Sequence, residues 1–197
     1  MLVLASASPR RRELLAQVGY QFEVQPANVP EDPLPEEDAI VYVTRLAREK
    51  AEAVFRELCT RNREGERQHG QRLAVLGADT TVTLDNEILG KPENAADATR
   101  MLRLLSGRSH RVITGVAVVT ETGVEVAAEV TAVRFLTLSD EEIAAYVATG
   151  EPMDKAGAYG IQGHAARWIP RIEGCYFNVM GLPLALVCSM LESRNIA

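Results

Sequence analysis

The sequence has few cysteines, few aromatic side chains and no excess of positive charge. Its 197 residues include three cysteines, and no pair of them has the spacing of a zinc knuckle or a redox motif. A disulfide framework and a structural zinc site are therefore not expected. Aromatic residues make up 5% of the chain and do not alternate with basic ones, which argues against a stacking platform for nucleic acid. The net charge of −6 gives no general attraction to nucleic acid or to an anionic membrane.

Long apolar runs and a typical leader are also lacking. No segment approaches the ~20 apolar residues that a membrane-spanning helix needs. The apolar run at the N-terminus is short, and its charges follow it instead of preceding it, unlike those of a signal peptide. Thiols without a disulfide pattern are typical of the cytosol. We therefore expect a cytoplasmic protein with no membrane or nucleic-acid partner, in which any phosphate site concentrates lysine and arginine locally.

The order of predicted elements indicates an α/β fold in one domain, residues 1–197, with a mixed, twisted sheet and flanking helices. Short apolar or alternating runs predict strands at residues 2–5, 21–25, 73–76, 80–84, 87–89, 112–120, 124–138, 167–172 and 175–179. Amphipathic runs predict helices at residues 10–18, 36–58, 95–105, 140–148 and 182–193. Polar or glycine-rich composition predicts loops at residues 60–72 and 151–163.

Local capping and turn signals support several of these boundaries. Ser8 is a suitable N-cap for the first helix, with Pro9 at its first position. Ser139 and Glu142 have the spacing of a capping box. Gly123 suits the turn of a long hairpin. These boundaries rest on local chemistry, so they do not depend on how the elements pack.

Residues 6–12 place hydroxyls and guanidiniums where a strand passes into a helix. Helix N-termini carry free N–H groups and partial positive charge, and arginine recognises phosphate oxygens in a bidentate way. Arginines at this end are unfavourable for the helix itself, which points to an anionic ligand. The alternative is a solvated turn whose arginines meet surface carboxylates, and this segment alone does not decide between the two.

Other candidate groups lie at strand ends and in turns. Asp79 follows an apolar strand, where a carboxylate can hold a divalent metal or accept a proton from water; an Asx turn is the alternative. Lys91 and Lys155 stand beside turns, where a lysine is usually only solvated. Gln162 lies in a glycine-rich loop that either approaches a ligand closely or is simply flexible. Neither a Walker A nor a GxGxxG pattern occurs.

Taken together, six segments resemble those of the Maf family of nucleotide pyrophosphatases. They occur in the family's order and span nearly the whole chain; each is weak alone, but their joint occurrence is specific. The matching segments are residues 5–11 (ASASPRR), 77–80 (GADT), 90–92 (GKP), 105–110 (LSGRSH), 151–163 (EPMDKAGAYGIQG) and 179–183 (VMGLP).

The resemblance implies two lobes around a deep, positively lined cleft, as in inosine triphosphatases. It implies hydrolysis between the α- and β-phosphates of a nucleoside triphosphate, with a divalent cation (Mg²⁺ or Mn²⁺) as cofactor. Asp79 would accept a proton from water and hold the metal together with Glu31. Pro30 stands where the family commonly has an acidic residue, so Asp32 is the alternative ligand. The groups expected on the phosphates are Lys50 and Lys91, as catalytic residues, with Ser8, Arg11 and Lys155.

Members of the family fall into subgroups that differ at three positions. One subgroup prefers dTTP and UTP and carries Arg, Thr and Gln there; the other prefers 7-methyl-GTP and carries Trp, Gln and Glu. This sequence has Arg10, Thr80 and Gln162 and so resembles the first subgroup. A Gln amide both donates and accepts, which matches the carbonyl and N–H edge of uracil or thymine. Family members are often dimers, which leaves a homodimer open here.

Two alternatives stay open at this point. The first is a purine or damaged-nucleotide pyrophosphatase of the inosine triphosphatase type. The second is a nucleotide-sensing regulator of cell division, although a protein that only binds would not need Asp79 together with Glu31 and two lysines. The products formed from a panel of nucleoside triphosphates distinguish these alternatives.

Overall fold

Strands and helices alternate irregularly along the chain. The structure, a computed structural model, describes residues 1–63 and 72–196. Its strands are β1 (Leu2–Leu4), β2 (Phe22–Val24), β3 (Ala74–Leu84), β4 (Glu87–Leu89), β5 (Ser109–Thr120), β6 (Gly123–Arg134) and β7 (Arg171–Glu173). Its helices are α1 (Pro9–Gln17), α2 (Ala39–Arg63), α3 (Ala95–Leu105), α4 (Asp140–Ala148), α5 (Tyr176–Val179) and α6 (Leu184–Ser193). Three 3₁₀ turns follow α4, at Glu151–Asp154, Ala156–Ala158 and His164–Trp168.

The strands form one mixed sheet in the order β2-β1-β3-β5-β6-β7, with β4 paired to β3. β1 is parallel to β2 and β3, and the other pairs are antiparallel. The predicted α/β class with a mixed sheet is therefore confirmed, while the division into two lobes stays a prediction. The predicted caps are also present: Ser8 Oγ accepts from the backbone N–H of Arg11, and Ser139 and Glu142 form the capping box of α4.

β3 is longer than predicted, which changes the setting of Asp79. The sequence predicts that a strand ends just before this residue, and this is wrong, because β5 pairs with β3 without a break from Ala74 to Thr83. On the other edge, β1 pairs only with residues 74–76 of β3 and β4 only with residues 82–84. Asp79 thus lies beyond the carboxyl end of β1, where this edge of β3 has no strand beside it in the described part of the chain. Ligand sites in α/β sheets form at such positions.

α2 also extends beyond its predicted end at residue 58. The helix continues to Arg63, and Arg61 pairs with Glu57 one turn earlier, which supports the extra turn. Residues 64–71 of the predicted loop lie outside the described residues. Within residues 1–63 and 72–196, no helix has the length and apolar character needed to cross a lipid bilayer.

Residues 175–179 are predicted as a strand but form the short helix α5. The turn carries the side-chain amide of Asn178 into the interior, where it donates to the carbonyl oxygen of Val112 (3.0 Å) and to Oγ1 of Thr131 (2.9 Å). Tertiary contacts therefore override the β-propensity of this segment.

Two glycines let α2 lie directly on the sheet. A Cβ atom at Gly77 would overlap the backbone oxygen of Ala47, and one at Gly115 would overlap that of Val43. Gly115 is paired with Asp79 across β3 and β5, so the close approach occurs at the level of that carboxylate. The glycines therefore let α2, which carries Lys50, lie against residues 77–81 of β3. These residues are the open stretch of β3, which neither β1 nor β4 covers.

Gly115→Ala is expected to push α2 away from the sheet. We expect the free energy of unfolding to fall by about 1–3 kcal/mol, as in other overpacked interiors, because the backbone of Val43 cannot yield as a side chain can. Thermal unfolding measures the change. Val41→Ala, on the exposed side of the same helix, is the control and should stay within ~0.5 kcal/mol of the parent. Equal stability of Gly115→Ala and the parent would contradict the close packing.

Candidate active site

The open stretch of β3 forms one side of a cleft of about 950 Å³. The β1–α1 turn, the loop before α2, the segment after β4 and the 3₁₀ region supply its other walls. Every residue that the sequence or the family resemblance selected lines this cleft: Ser8, Arg10, Arg11, Glu31, Lys50, Asp79, Thr80, Lys91, Lys155 and Gln162. The structure thus brings together residues from six separate segments, while their individual roles stay predictions.

A buried lysine joins two carboxylates at the base of the cleft. Lys50 Nζ lies 2.7 Å from Asp79 Oδ1 and 2.5 Å from Glu31 Oε1. Lys50 and Asp79 are each 8% exposed, so water screens their interaction only weakly. Their contact follows from the close approach of α2 to β3. The lysine therefore holds both carboxylates towards one point.

Glu31 is placed by its backbone as well as by its charge. The hydroxyl of Tyr42 donates to the carbonyl oxygen of Glu31 at 2.8 Å, which ties the loop to α2. Partial burial opposes ionisation of Glu31, but the hydrogen bond from Lys50 and the charges of Lys50, Lys91 and Arg11 outweigh it and lower the pKa of Glu31. Glu31 is thus a carboxylate at neutral pH. Burial, with the nearby Asp79 and Glu31 charges, raises the pKa of Tyr42 to about 12.

The two carboxylates suit a hard divalent cation. Glu31 and Asp79 lie on either side of the Lys50 ammonium group, and each has a second carboxylate oxygen beyond the one bonded to Lys50; such oxygen atoms are the ligands that Mg²⁺ and Mn²⁺ favour. No group of three His, Cys, Asp or Glu side chains in the described ranges forms a complete metal cage. Mg²⁺ commonly uses one or two carboxylates and takes its remaining ligands from water and substrate phosphates. The residues present therefore fit a cation that the protein and a nucleotide share.

Arg11 is engaged within the protein. Its guanidinium donates to the carbonyl oxygens of Gly181 and Ala78, both at 2.8 Å, and to Oγ1 of Thr80 at 2.9 Å. Ala78 and Thr80 flank Asp79, so Arg11 holds the open edge of β3 on both sides of the carboxylate. The expected contact between Arg11 and phosphate stays a prediction, because these bonds direct most of its donors inwards.

The glycine-rich segment forms another wall of the cleft. Lys155 Nζ donates to Asp154 Oδ1 and to the carbonyl oxygen of Glu151, both at 2.6 Å, and Arg10 lies 3.9 Å from Asp154. A Cβ atom at Gly160 would press on the Lys155 side chain. The glycines in this segment therefore make room for side chains, as well as allowing unusual backbone angles.

Lys91 differs from Lys155 in having an unengaged ammonium group. Its side chain is exposed, and it makes no ion pair within 4.0 Å among residues 1–63 and 72–196. The chain contains only three lysines, and all of them line the cleft: Lys50, Lys91 and Lys155. The ammonium groups of lysine are thus confined to this site, whereas arginine supplies the positively charged side chains elsewhere.

Sequence reasoning missed a buried support for the glycine-rich segment. His110 Nε2 lies 2.8 Å from the hydroxyl of Tyr159, and both rings pack edge-on against Phe135. Burial lowers the pKa of His110 to about 4, so its imidazole is neutral at neutral pH. His110 and Tyr159 belong to two of the family-like segments, and that position is the signal in the sequence that could have singled them out. Their contact spans 49 residues and could not be read from spacing.

Comparison with known proteins assigns the chain to a family. The family described as Maf-like protein matches residues 1–194 of the chain. The chain belongs to the Maf family. The predicted membership of the Maf family, made from six short segments, is thus confirmed over nearly the full length.

Curated relatives share about half of the residues of this Maf family member. A protein of Koribacter versatilis is 49% identical over 195 residues, covering 99% of this chain and 95% of the relative. One from Geobacter sulfurreducens is 52% identical over 193 residues, covering 97% and 93%. One from Escherichia coli is 48% identical over 194 residues, covering 98% and 93%. Each of the three is named dTTP/UTP pyrophosphatase.

Proposed function

We propose that the protein is a nucleoside triphosphate pyrophosphatase that hydrolyses dTTP and UTP to the monophosphate and pyrophosphate. The observation that carries this proposal is the Glu31–Lys50–Asp79 group, whose lysine and aspartate are buried, in a cleft that also contains Lys91 and Lys155. Such a site combines a carboxylate that can accept a proton with cations that can neutralise phosphate. The names of the curated relatives support the choice of nucleotide.

In the proposed reaction the chain's residues position groups and take up one proton. Phosphoryl transfer depends mainly on alignment and charge neutralisation, so no covalent intermediate is required. Asp79 accepts the proton of the attacking water, and Lys50 fixes the direction of that carboxylate. Lys91, with its free ammonium group, binds the phosphates, and the N–H groups at the start of α1 beside Ser8 add further donors.

Glu31 and Asp79 are proposed to hold Mg²⁺ or Mn²⁺ together with the phosphates. When bound, such a cation supplies charge neutralisation and polarises the phosphate oxygens. Activity should accordingly disappear in excess chelator and return when the cation is added back.

The base is proposed to lie against the glycine-rich segment. Gln162 is exposed to the cleft and its amide can both donate and accept, as the carbonyl and N–H edge of thymine or uracil requires. Arg10 lies on the same side, 3.9 Å from Asp154. We assign Arg10, Thr80 and Gln162 to base selection, with Thr80 on the wall that β3 forms.

A panel of nucleoside triphosphates with quantified products tests the function. We expect dTTP and UTP to be the best substrates, each giving one pyrophosphate and one monophosphate, and 7-methyl-GTP to be poor. Preference for a purine triphosphate would favour the inosine triphosphatase type. Binding without any turnover, with the cation present, would favour a nucleotide-sensing protein.

The triple change Arg10→Trp, Thr80→Gln and Gln162→Glu is expected to move the preference from dTTP towards 7-methyl-GTP. A Glu suits the cationic methylated base, and a Trp can stack on it. Each altered hydrogen-bonding partner changes selectivity by about one to two orders of magnitude. The ratio of kcat/KM for the two nucleotides measures the effect. An unchanged ratio would remove these positions from base selection.

The protein is also proposed to act in the cytoplasm. Cys59, Cys175 and Cys188 are free thiols, which suits a reducing compartment. Fractionation of cells that express the protein, with a periplasmic marker for comparison, tests this location.

A further inference from the structure

A chain of hydrogen bonds runs from the cleft into the interior behind Asp79. Arg11 Nη2 donates to Thr80 Oγ1 at 2.9 Å, and Thr80 Oγ1 lies 2.9 Å from Thr114 Oγ1. Thr114 Oγ1 in turn donates to the carbonyl oxygen of Asn178 at 3.1 Å. Thr114 is 0% exposed and stands opposite Thr80 in the β3–β5 pairing. The chain therefore links the cleft to α5 through a residue that no ligand can touch.

The chemistry of the groups fixes the direction of this chain. A guanidinium only donates and a carbonyl oxygen only accepts, while a hydroxyl has a single proton. Thr114 directs its proton to the carbonyl oxygen of Asn178 at 3.1 Å, so the hydroxyl of Thr80 is the donor between the two threonines. The other acceptor of Thr80, the carbonyl oxygen of Gly181, is more distant at 3.5 Å, against 2.9 Å to Thr114. The proton of Thr80 is then used inside the protein and is not available to a nucleotide.

The interior end of the chain is firmly held. The amide of Asn178 donates to the carbonyl oxygen of Val112 and to Thr131 Oγ1, and Thr131 Oγ1 donates to the carbonyl oxygen of Cys175 at 3.0 Å. At the cleft end, Arg11 donates to the carbonyl oxygen of Ala78 and to Thr80 Oγ1, the residues on either side of Asp79. Asn178 of α5 is thus connected, through Thr114 and Thr80, to the guanidinium of Arg11 beside Asp79.

We propose that Thr114 is a positioning residue, which orients the Thr80 hydroxyl and through it Arg11, and so contributes to turnover and base selection without touching the nucleotide. This inference rests on the proposed function. It assigns Thr80 an indirect part in selectivity: its hydroxyl sets the position of Arg11 and of the turn at Gly181, whose carbonyl oxygen accepts from Arg11.

Thr114→Val removes the hydroxyl while keeping the shape of the side chain, and Thr114→Ser keeps the hydroxyl. Thr83→Val is a matched control, because Thr83 lies buried on β3 and its Oγ1 has no hydrogen-bond partner in the described structure. Steady-state kinetics with dTTP and with dCTP, whose base presents a different edge, give kcat, KM and selectivity for each variant. Thermal unfolding of the same samples separates loss of stability from loss of positioning.

We expect Thr114→Val to lower kcat/KM for dTTP by about tenfold, the effect of one hydrogen bond, and to lower the preference for dTTP over dCTP. Thr114→Ser and Thr83→Val should retain the parent's selectivity. Thr80→Val should reproduce the change, and the double variant Thr80→Val with Thr114→Val should lose no more than either single variant.

Additive losses, or a Thr114→Val enzyme with parental selectivity at reduced stability, would overturn the inference. If Thr114→Val does not fold, Thr114→Ala decides: parental selectivity in that variant overturns the inference, and altered selectivity that Thr114→Ser does not share supports it. A parent that hydrolyses no pyrimidine triphosphate overturns the proposed function as well.

Discussion

Asp79→Asn is expected to lower the rate of pyrophosphate release from dTTP by about 10³-fold, within the range typical of a lost general base. Asparagine keeps the size of the side chain but has no negative charge, so it is a poor proton acceptor and a poor metal ligand. Lys50 would keep Glu31 as its partner, so the buried ammonium group would not be left alone. Nucleotide affinity should fall less than the rate, because the other cations of the cleft remain.

Asp85→Asn is the matched control for this variant. Asp85 lies at the end of the same strand, in the β3–β4 turn, with 73% of its side chain exposed. Its backbone φ is 49°, a conformation that asparagine tolerates well. Asp85→Asn should therefore be as active as the parent. Near-parental turnover of Asp79→Asn, in samples with an unchanged melting temperature, would exclude Asp79 from the chemistry.

Lys91→Ala is expected to lower kcat/KM by about 10²-fold, the typical effect of removing one electrostatic stabiliser. Its ammonium group makes no ion pair among the described residues, so its charge is available to the phosphates. Lys155→Ala should have a smaller effect, because Lys155 is already bonded to Asp154 and to the backbone of Glu151. Initial rates over a range of dTTP concentrations, for both variants side by side, measure the difference.

Inhibition by pyrophosphate provides a second readout of the same site. If Lys91 binds the leaving phosphates, its loss should weaken inhibition by pyrophosphate together with turnover. Arg103→Ala, which removes an exposed cation on α3 that pairs with Asp140, is the control and should leave both unchanged. A kinetically silent Lys91→Ala variant would move the phosphate site elsewhere in the cleft.

Much of the fold could be predicted because its boundaries depend on neighbouring residues. Ser8 and Ser139 cap helices as expected, since an N-cap needs only a side-chain oxygen and the next turn of backbone. The β3–β4 turn at residues 85–86 has positive φ at both positions, as a tight hairpin requires. Such features form irrespective of the contacts that the rest of the chain makes.

The errors occurred where distant contacts decide the structure. The true end of β3 depends on pairing with β5, and α5 forms around the buried amide of Asn178. Arg11 meets Gly181 across 170 residues, a contact that no spacing rule can supply. The site residues were each weak candidates in isolation. The family resemblance is what selects them together from the sequence. Local residue patterns alone leave the roles of Asp79 and Lys91 undecided.

The confinement of all three lysines to the cleft has a practical consequence. Apart from the amino terminus, reagents that acylate amines can attack this protein only at its proposed site, so acylation of lysine would report whether that site is vacant. Random coupling to an amine-reactive resin or sensor surface would for the same reason obstruct the cleft in every molecule attached through a lysine. An immobilised form of the protein should therefore be attached through a thiol or a terminal tag.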